Sequence, residues 1–213
     1  MNNDPRPTAE ARRAQILTAA AQCFRRDGFH GASIAQISQL AGMSSGHIYH
    51  YFDNKEAIIA AIVGRDLERL LGLTAELRAA ADVGGALVNR VAEGVADNLD
   101  PEQAGLKLEI VAEAARNPRV AEIVRQADAT CRASLVETIR DVRQALGHAD
   151  DEEVLAGMVE VIAALFEGLL IRRVRNPSLA PELLVRIFQA TLRNLMGLTL
   201  TGGADHPGVD GAG

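Results

Sequence analysis

Two histidines and two tyrosines lie within a few residues of each other in 41-AGMSSGHIYHYFDNKE-56, directly after a glycine and two serines. His47 and His50 are three residues apart, so a helix places them on one face. They could ligate a metal, act as acid and base, or contact nucleic acid. Only Asp53 is near enough in sequence to be a third metal ligand, so we predict no metal. HExxH, GxSxG, P-loop and CxxC motifs are absent, so we predict no enzyme and no cofactor, and keep a helical enzyme using the histidines as an alternative.

The elements around this cluster predict a helix, a turn and a second helix. Ser33 and Gln36 have the spacing of a capping box at the start of a helix over about 33–41. Gly42 suits the positive φ of a tight turn. Ser44 is a good N-cap for a short helix over about 45–51. This is the layout of a helix-turn-helix, whose second helix inserts its N-terminal end into the major groove of DNA.

The residue types of the second helix fit such a contact. Small residues at its start let the backbone approach, and the free amides of a helix N-terminus attract phosphate. Histidines can donate or accept at base edges, and a tyrosine hydroxyl can reach a phosphate. The predicted DNA-facing residues of this helix are Ser44, Ser45, Gly46, His47, Tyr49 and His50.

The rest of the chain also favours helices, so we predict an all-α protein. Period-two alternation is never sustained, and Pro or Gly marks the joints between helical patterns. Asp53 and Glu56 have capping-box spacing for a fourth helix from about Asn54 to residue 81. The remaining predicted helices cover 8–27, 84–99, 102–116, 118–146, 151–175 and 179–199. We predict a DNA-binding head over 1–53, a helical body over 54–200 and a disordered tail over 201–213.

Charge is divided unevenly along the chain. The net charge is −6, but residues 1–58 carry six Lys or Arg and five Asp or Glu, a net of +1, against 16 and 23, a net of −7, in the remainder. A less acidic head on an acidic body is compatible with DNA binding by the head. The N-terminus lacks an apolar signal segment, and Cys23 and Cys131 lie far apart. We therefore expect a cytoplasmic protein with no membrane partner.

Residues 12–58, RRAQILTAAAQCFRRDGFHGASIAQISQLAGMSSGHIYHYFDNKEAI, closely resemble the DNA-binding head of the tetracycline-repressor (TetR) family. The resemblance implies that Ser33, Ala35 and Gln36 open the helix that touches the DNA backbone. It places Ser45, Gly46, His47 and His50 at the groove, and Tyr49 and Lys55 at phosphates of a double-stranded operator. It also implies a regulator with a ligand-binding and dimerisation body. A helical interaction module without DNA binding is the remaining alternative.

The last two predicted helices are apolar on more than one face. One apolar stripe is enough to pack a helix on its own core. A second apolar face predicts contact with a copy of the chain, so we expect a homodimer held by residues 151–199. The alternative is a monomer core that covers both faces.

The middle helices could enclose an effector. A carboxylate inside an apolar helix is costly unless it is paired or exposed. Glu160 and Glu167 lie in such a helix, and the spacing of Glu109 and Glu113 places both on one face of another helix. These four carboxylates line a site for a cationic or polar ligand, form salt bridges, for example with Arg132, Arg172 or Arg173, or lie at a solvated edge. We expect a largely apolar effector, with a cationic one left open, and the sign of its effect on DNA binding is also open. The predicted effector residues are Leu106, Glu109, Ile110, Glu113, Cys131, Leu135, Met158, Ile162 and Phe166.

Overall fold

The computed structural model describes residues 8–198, in which the chain forms nine α-helices and no strand. The prediction of an all-α fold is thus confirmed, and each predicted helix is present. The predicted tail over 201–213 lies outside the described residues. The helices are α1 (Ala9–Gly31), α2 (Ile34–Leu40), α3 (Ser45–Tyr51), α4 (Lys55–Ala79), α5 (Val83–Leu99), α6 (Pro101–Ala114), α7 (Pro118–Ala145), α8 (Glu152–Arg175) and α9 (Pro181–Met196).

The helix-turn-helix forms through the local signals that predicted it. The Ser33 side chain caps α2, and Gln36 Oε1 accepts a hydrogen bond from Ser33 N at 2.8 Å. Gly42 has a φ of +62°, which turns the chain between α2 and α3. Ser44 Oγ then accepts from His47 N at 3.2 Å at the start of α3. These caps satisfy amides that a helix end leaves free.

The start of α4 differs from the prediction by one residue. The helix begins at Lys55, and the Asn54 side chain accepts from Ala57 N at 2.8 Å. The predicted capping box of Asp53 with Glu56 is therefore wrong. Asp and Asn are equally good N-caps, so residue type alone does not choose between neighbouring positions.

Two groups of buried side chains form the core. The first joins α1, α2, α3 and the start of α4, and also includes Leu106, Ile110 and Val120 from α6 and α7. The second lies among α5, α7, α8 and α9. α4 contributes Ile58 and Ile62 to the first group, so side chains after residue 54 pack in the core of the head. The predicted boundary between the head and the body, between residues 53 and 54, stays a prediction. α6 is the body helix that packs most directly on the head.

α8 and α9 leave large apolar side chains uncovered. An 18-residue window of α8 has a mean hydropathy of 2.2, yet only 28% of it is buried inside the chain. By length and composition alone such a helix could cross a membrane, but α8 packs against α5, α6 and α7 like the core helix of a bundle. The exposed apolar residues of the two helices are Val154, Val161, Ile171, Val174, Leu183 and Ile187.

The observed cap of α4 makes a direct prediction. Asn54→Ala should lower the free energy of unfolding by about 1 kcal/mol, because it removes the acceptor for Ala57 N. Asp53→Ala, one residue earlier, should change it by less than about 0.5 kcal/mol. Urea unfolding at one fixed protein concentration measures both. Equal losses in the two variants would contradict the assignment of the cap.

Candidate DNA-binding site and its contact with the body

α3 presents a polar, exposed face on an apolar anchor. Ile48 and Phe52 are 0% and 3% exposed and fix the helix to the head core. The opposite side carries the predicted contact residues. Ser44, Gly46, His47, Tyr49 and His50 are exposed, and Ser45 is half-buried with its Oγ 3.2 Å from Ser38 Oγ.

The aromatic rings of α3 support one another. The His47 and His50 ring centroids lie 6.5 Å apart, and Tyr51 meets both rings edge-on at 5.4 and 5.3 Å. Tyr51 therefore limits the positions that the two imidazoles can take, a role that its spacing did not indicate. Within residues 8–198, three or more His, Cys, Asp or Glu side chains are nowhere grouped as a metal site.

The residues at the start of α2 that are predicted to contact the DNA backbone differ in exposure and in their internal hydrogen bonds. Ser33 and Ala35 are exposed. Gln36 is half-buried, accepts from Ser33 N, and its Nε2 lies 3.4 Å from Asp27 Oδ2. Its side chain thus already holds the start of α2. A DNA contact by Gln36 stays a prediction.

Lys55 also has internal partners. Its Nζ donates to Phe29 O at 2.5 Å and to Ala32 O at 2.8 Å, and lies 4.5 Å from the centre of the Phe29 ring. An ammonium group has three donors, so one remains for a phosphate. The predicted phosphate contact stays a prediction, and Lys55 also ties α4 to the end of α1.

Comparison with known proteins identifies the family. The pattern of bacterial regulatory proteins of the tetR family matches residues 16–62, and that of the C-terminal domain of BetI-type transcriptional repressors matches residues 87–197. The HTH-type transcriptional regulator UidR of Escherichia coli strain K12 is 35% identical over 147 residues, which are 68% of this chain and 72% of UidR. The chain belongs to the TetR family.

Solved structures agree with this assignment. Salmonella enterica GusR is 34% identical and superposes with a TM-score of 0.75 over 92% of this chain and 98% of GusR. Bacillus subtilis FadR in complex with stearoyl-CoA shares the fold, with 18% identity, a TM-score of 0.72, and coverage of 87% and 98%. TetR-family members are transcriptional regulators and not enzymes, so the enzyme and the interaction-module alternatives are wrong.

In this TetR-family chain, two predicted effector residues lie where the body meets the head. Glu109 Oε1 accepts from Phe29 N at 2.7 Å. Glu113 is 0% exposed and is contacted by His30 Nε2, Arg116 Nε and Asn117 Nδ2 at 3.0 to 3.1 Å. Both carboxylates therefore serve the contact between α6 and α1.

Burial and hydrogen bonding compete at Glu113. Burial alone would raise the pKa of Glu113, but hydrogen bonds from Asn117 and Arg116, with the charge of His30, hold it below its usual value. The carboxylate thus stays ionised in the folded protein. Its contribution to stability is present at neutral pH and is lost as the pH falls through the lowered pKa.

The remaining predicted effector residues do not lie together. Leu106 and Ile110 are buried in the head core. Four others belong to the body core, and Cys131 is half-buried on α7. Two surface depressions of the described residues, of about 260 and 540 Å³, contain none of the predicted effector residues. The residues of the body core are Leu135, Met158, Ile162 and Phe166.

The other two carboxylates of the body have different surroundings. Glu160 Oε1 pairs with Arg132 Nη1 at 2.8 Å, which is one of the predicted salt bridges. Burial raises the pKa of Glu167, and the charges of Asp128 and Glu160 raise it further. Burial also lowers the pKa of Lys107, whose Nζ donates to Asn98 Oδ1 at 3.1 Å. The charges that act on Lys107 come from Asp66, Arg69, Asp97 and Glu167, on α4, α5 and α8, so no local pattern in the sequence indicates them.

The exposed face of α3 gives a prediction on recognition. His47→Ala should change which operator bases are preferred, because its imidazole is exposed beside the predicted groove. Tyr49→Phe removes only a predicted phosphate contact and should weaken binding to all sequences alike, by about threefold to tenfold. Selection from random duplexes measures both effects. An altered base preference in Tyr49→Phe but not in His47→Ala would reverse the two roles.

Proposed function

We propose that this TetR-family chain is a ligand-responsive repressor that binds a palindromic operator as a homodimer. The observation that carries the proposal is the pairing of two surfaces: a polar recognition helix at one end and an uncovered apolar face on α8 and α9 at the other. A repressor of this kind acts on chromosomal DNA, so we place it in the cytoplasm.

The DNA-contacting residues of the proposal lie on α2, α3 and the start of α4. Exposure of the α3 face and the free amides at its start support direct contact with the groove and its phosphates. Lys55 adds a charge at the start of α4. The proposed set is Ser33, Ala35, Gln36, Ser44, Ser45, Gly46, His47, Tyr49, His50 and Lys55.

The dimer part of the proposal rests on exposure. Val174, Leu183 and Ile187 are 67%, 54% and 56% exposed. Large exposed apolar side chains on the last two helices support an interaction surface there. A second copy of the same face is self-complementary across a two-fold axis, which matches the symmetry of a palindromic operator.

The proposed mechanism has two states. In one, the dimer holds its two recognition helices about 34 Å apart, the spacing of successive major grooves on one face of DNA. In the other, an effector in the body changes the position of α4 and spoils this spacing. An effector can shift the balance only through different affinities for the two states. Family members bind operators and small-molecule effectors, and FadR in complex with stearoyl-CoA is an example in which the bound molecule has a long acyl chain.

The effector site of the proposal lies between α5, α7 and α8. Leu135, Met158, Ile162 and Phe166 supply an apolar lining, and Cys131 is half-buried one turn before Leu135 on α7. A cationic head group would depend on Glu167, because Glu109, Glu113 and Glu160 already have partners. An apolar effector is therefore favoured over a strongly cationic one.

The dimer face predicts the effect of one charge. Ile187→Glu should convert the protein to a monomer at micromolar concentration, because each copy would bury an unpaired carboxylate in the interface. Full-operator binding should be lost with it. Sedimentation velocity measures the mass, and fluorescence anisotropy the affinity. Ile187 is chosen because it is exposed within one copy, so a charge there should not disturb the fold of the monomer. A charge at the neighbouring Phe188 would disturb it, because the Phe188 ring packs on Phe166 in the core.

Val111→Glu is the matched control for this experiment. Val111 is 58% exposed and lies on α6, so it is not part of the proposed face of α8 and α9. It should stay dimeric and bind the operator as the wild type does. A wild-type monomer, or a dimer that tolerates Ile187→Glu, would remove the basis of the proposed interface.

The effector site predicts a preference among ligands. Decanol, decanoate and decyltrimethylammonium share one tail and differ in head-group charge. We expect decanol to raise the Tm and to weaken operator affinity by at least about fivefold. If decyltrimethylammonium alone does so, and Glu167→Gln abolishes its effect, the effector is cationic. A response to none of the three, or to decanoate alone, would contradict an apolar or cationic site.

A further inference from the structure

The end of α1 carries an unusual backbone connection. Gly28 has a φ of +72° and a ψ of 166°, so the helix is interrupted there before a last turn that ends at Gly31. The interruption leaves the Phe29 amide without a helical acceptor. Glu109 Oε1 on α6 takes its place at 2.7 Å. A Cβ at residue 28 would lie 3.3 Å from the same oxygen, so the close approach favours glycine in addition to the positive φ.

α6 also contacts His30, the residue after Phe29. His30 Nε2 lies 3.1 Å from Glu113 Oε2, and Glu113 is completely buried. Arg116 and Asn117 bind the same carboxylate and fix its orientation. A buried carboxylate with several hydrogen bonds has few alternative positions. The contact therefore transmits the position of α6 to residues 28–32.

The opposite side of this segment faces the DNA-binding elements. Lys55, the first residue of α4, binds the carbonyls of Phe29 and Ala32. Ser33, which caps α2, follows directly. The Phe29 peptide is thus held at its N–H by α6 and at its C=O by α4. Residues 28–32 connect the body to both helices that set the orientation of α3.

We propose that Glu109 and Glu113 are positioning residues for operator binding, which set the orientation of the head through residues 28–32. This inference rests on the proposed function, because orientation matters only where two heads must fit one palindrome. Neither carboxylate needs to touch DNA. Without the acceptor at Glu109, the head still folds around its own core but is held less firmly against the body.

The distinguishing readout compares a full operator with a single half-site. Both duplexes come from selection on random DNA with the wild-type dimer. A full operator requires two heads at one spacing, whereas a half-site requires only one folded head. A loss of orientation therefore weakens binding to the full operator alone. A damaged head weakens binding to both.

Three variants of the full-length chain test the role of Glu109. Glu109→Met removes the acceptor and keeps the bulk, so full-operator affinity should fall by about tenfold with half-site affinity unchanged. Glu109→Gln keeps an acceptor for Phe29 N and should behave as the wild type. Glu122→Met changes an exposed carboxylate on α7, which pairs with Arg125, and is the control without effect.

His30→Ala is a second test of the same contact, for the case that Glu109→Met does not fold. It removes the α1 partner of Glu113 but leaves Arg116 and Asn117 in place. Full-operator affinity should fall by about threefold, again without a change at the half-site. Anisotropy measures all affinities, and thermal unfolding checks the folding of every variant.

The possible outcomes separate this inference from the proposed function. If the wild type selects no palindrome, or binds half-site and full operator equally, the dimeric repressor is wrong. If the wild type prefers the full operator and folded Glu109→Met and His30→Ala keep that preference unchanged, the positioning role is wrong. Equal losses at both duplexes would also overturn it, since they indicate a damaged head.

Discussion

The shortness of α3 is the constraint on which the rest of the structure depends. Seven residues make fewer than two helical turns, and a helix of that length is not stable alone in water. Its conformation must come from packing and caps. Ile48 and Phe52 supply the packing, and Ser44 supplies the cap. α1 and α2 form the apolar surface on which α3 packs. Gln15 Nε2 on α1 donates to Ala41 O at 2.8 Å and so holds the turn before α3.

The core that holds α3 in place is not formed by the head alone. A head of about 50 residues buries too little surface to be very stable by itself. Leu106, Ile110 and Val120 from the body complete its core. The head is therefore sensitive to the position of α6 through apolar packing as well as through Glu109.

Local signals made the head predictable, and long-range contacts made the rest harder. Ser33 with Gln36, Gly42 and Ser44 each act within four residues, so their effect can be read from sequence. The partners of Glu109 and Lys55 lie 80 and 26 residues away. Spacing placed Glu109 and Glu113 on one face of α6 but could not show that this face meets α1. The cap at Asn54 was missed for a different reason, since two adjacent good caps compete there.

The two lysines of the chain have different surroundings from most of its arginines. Only two of the 22 basic residues are lysines, Lys55 and Lys107, and both donate hydrogen bonds within the fold. Several arginines instead form exposed ion pairs, such as Arg125 with Glu122, which contribute little to stability. A lysine concentrates its charge on one nitrogen at the end of a flexible stem, which suits the narrow space between two carbonyls. The charge that Lys55 brings to the head is therefore fixed in place by the carbonyls of Phe29 and Ala32, in the same segment that contacts α6 through Phe29 and His30.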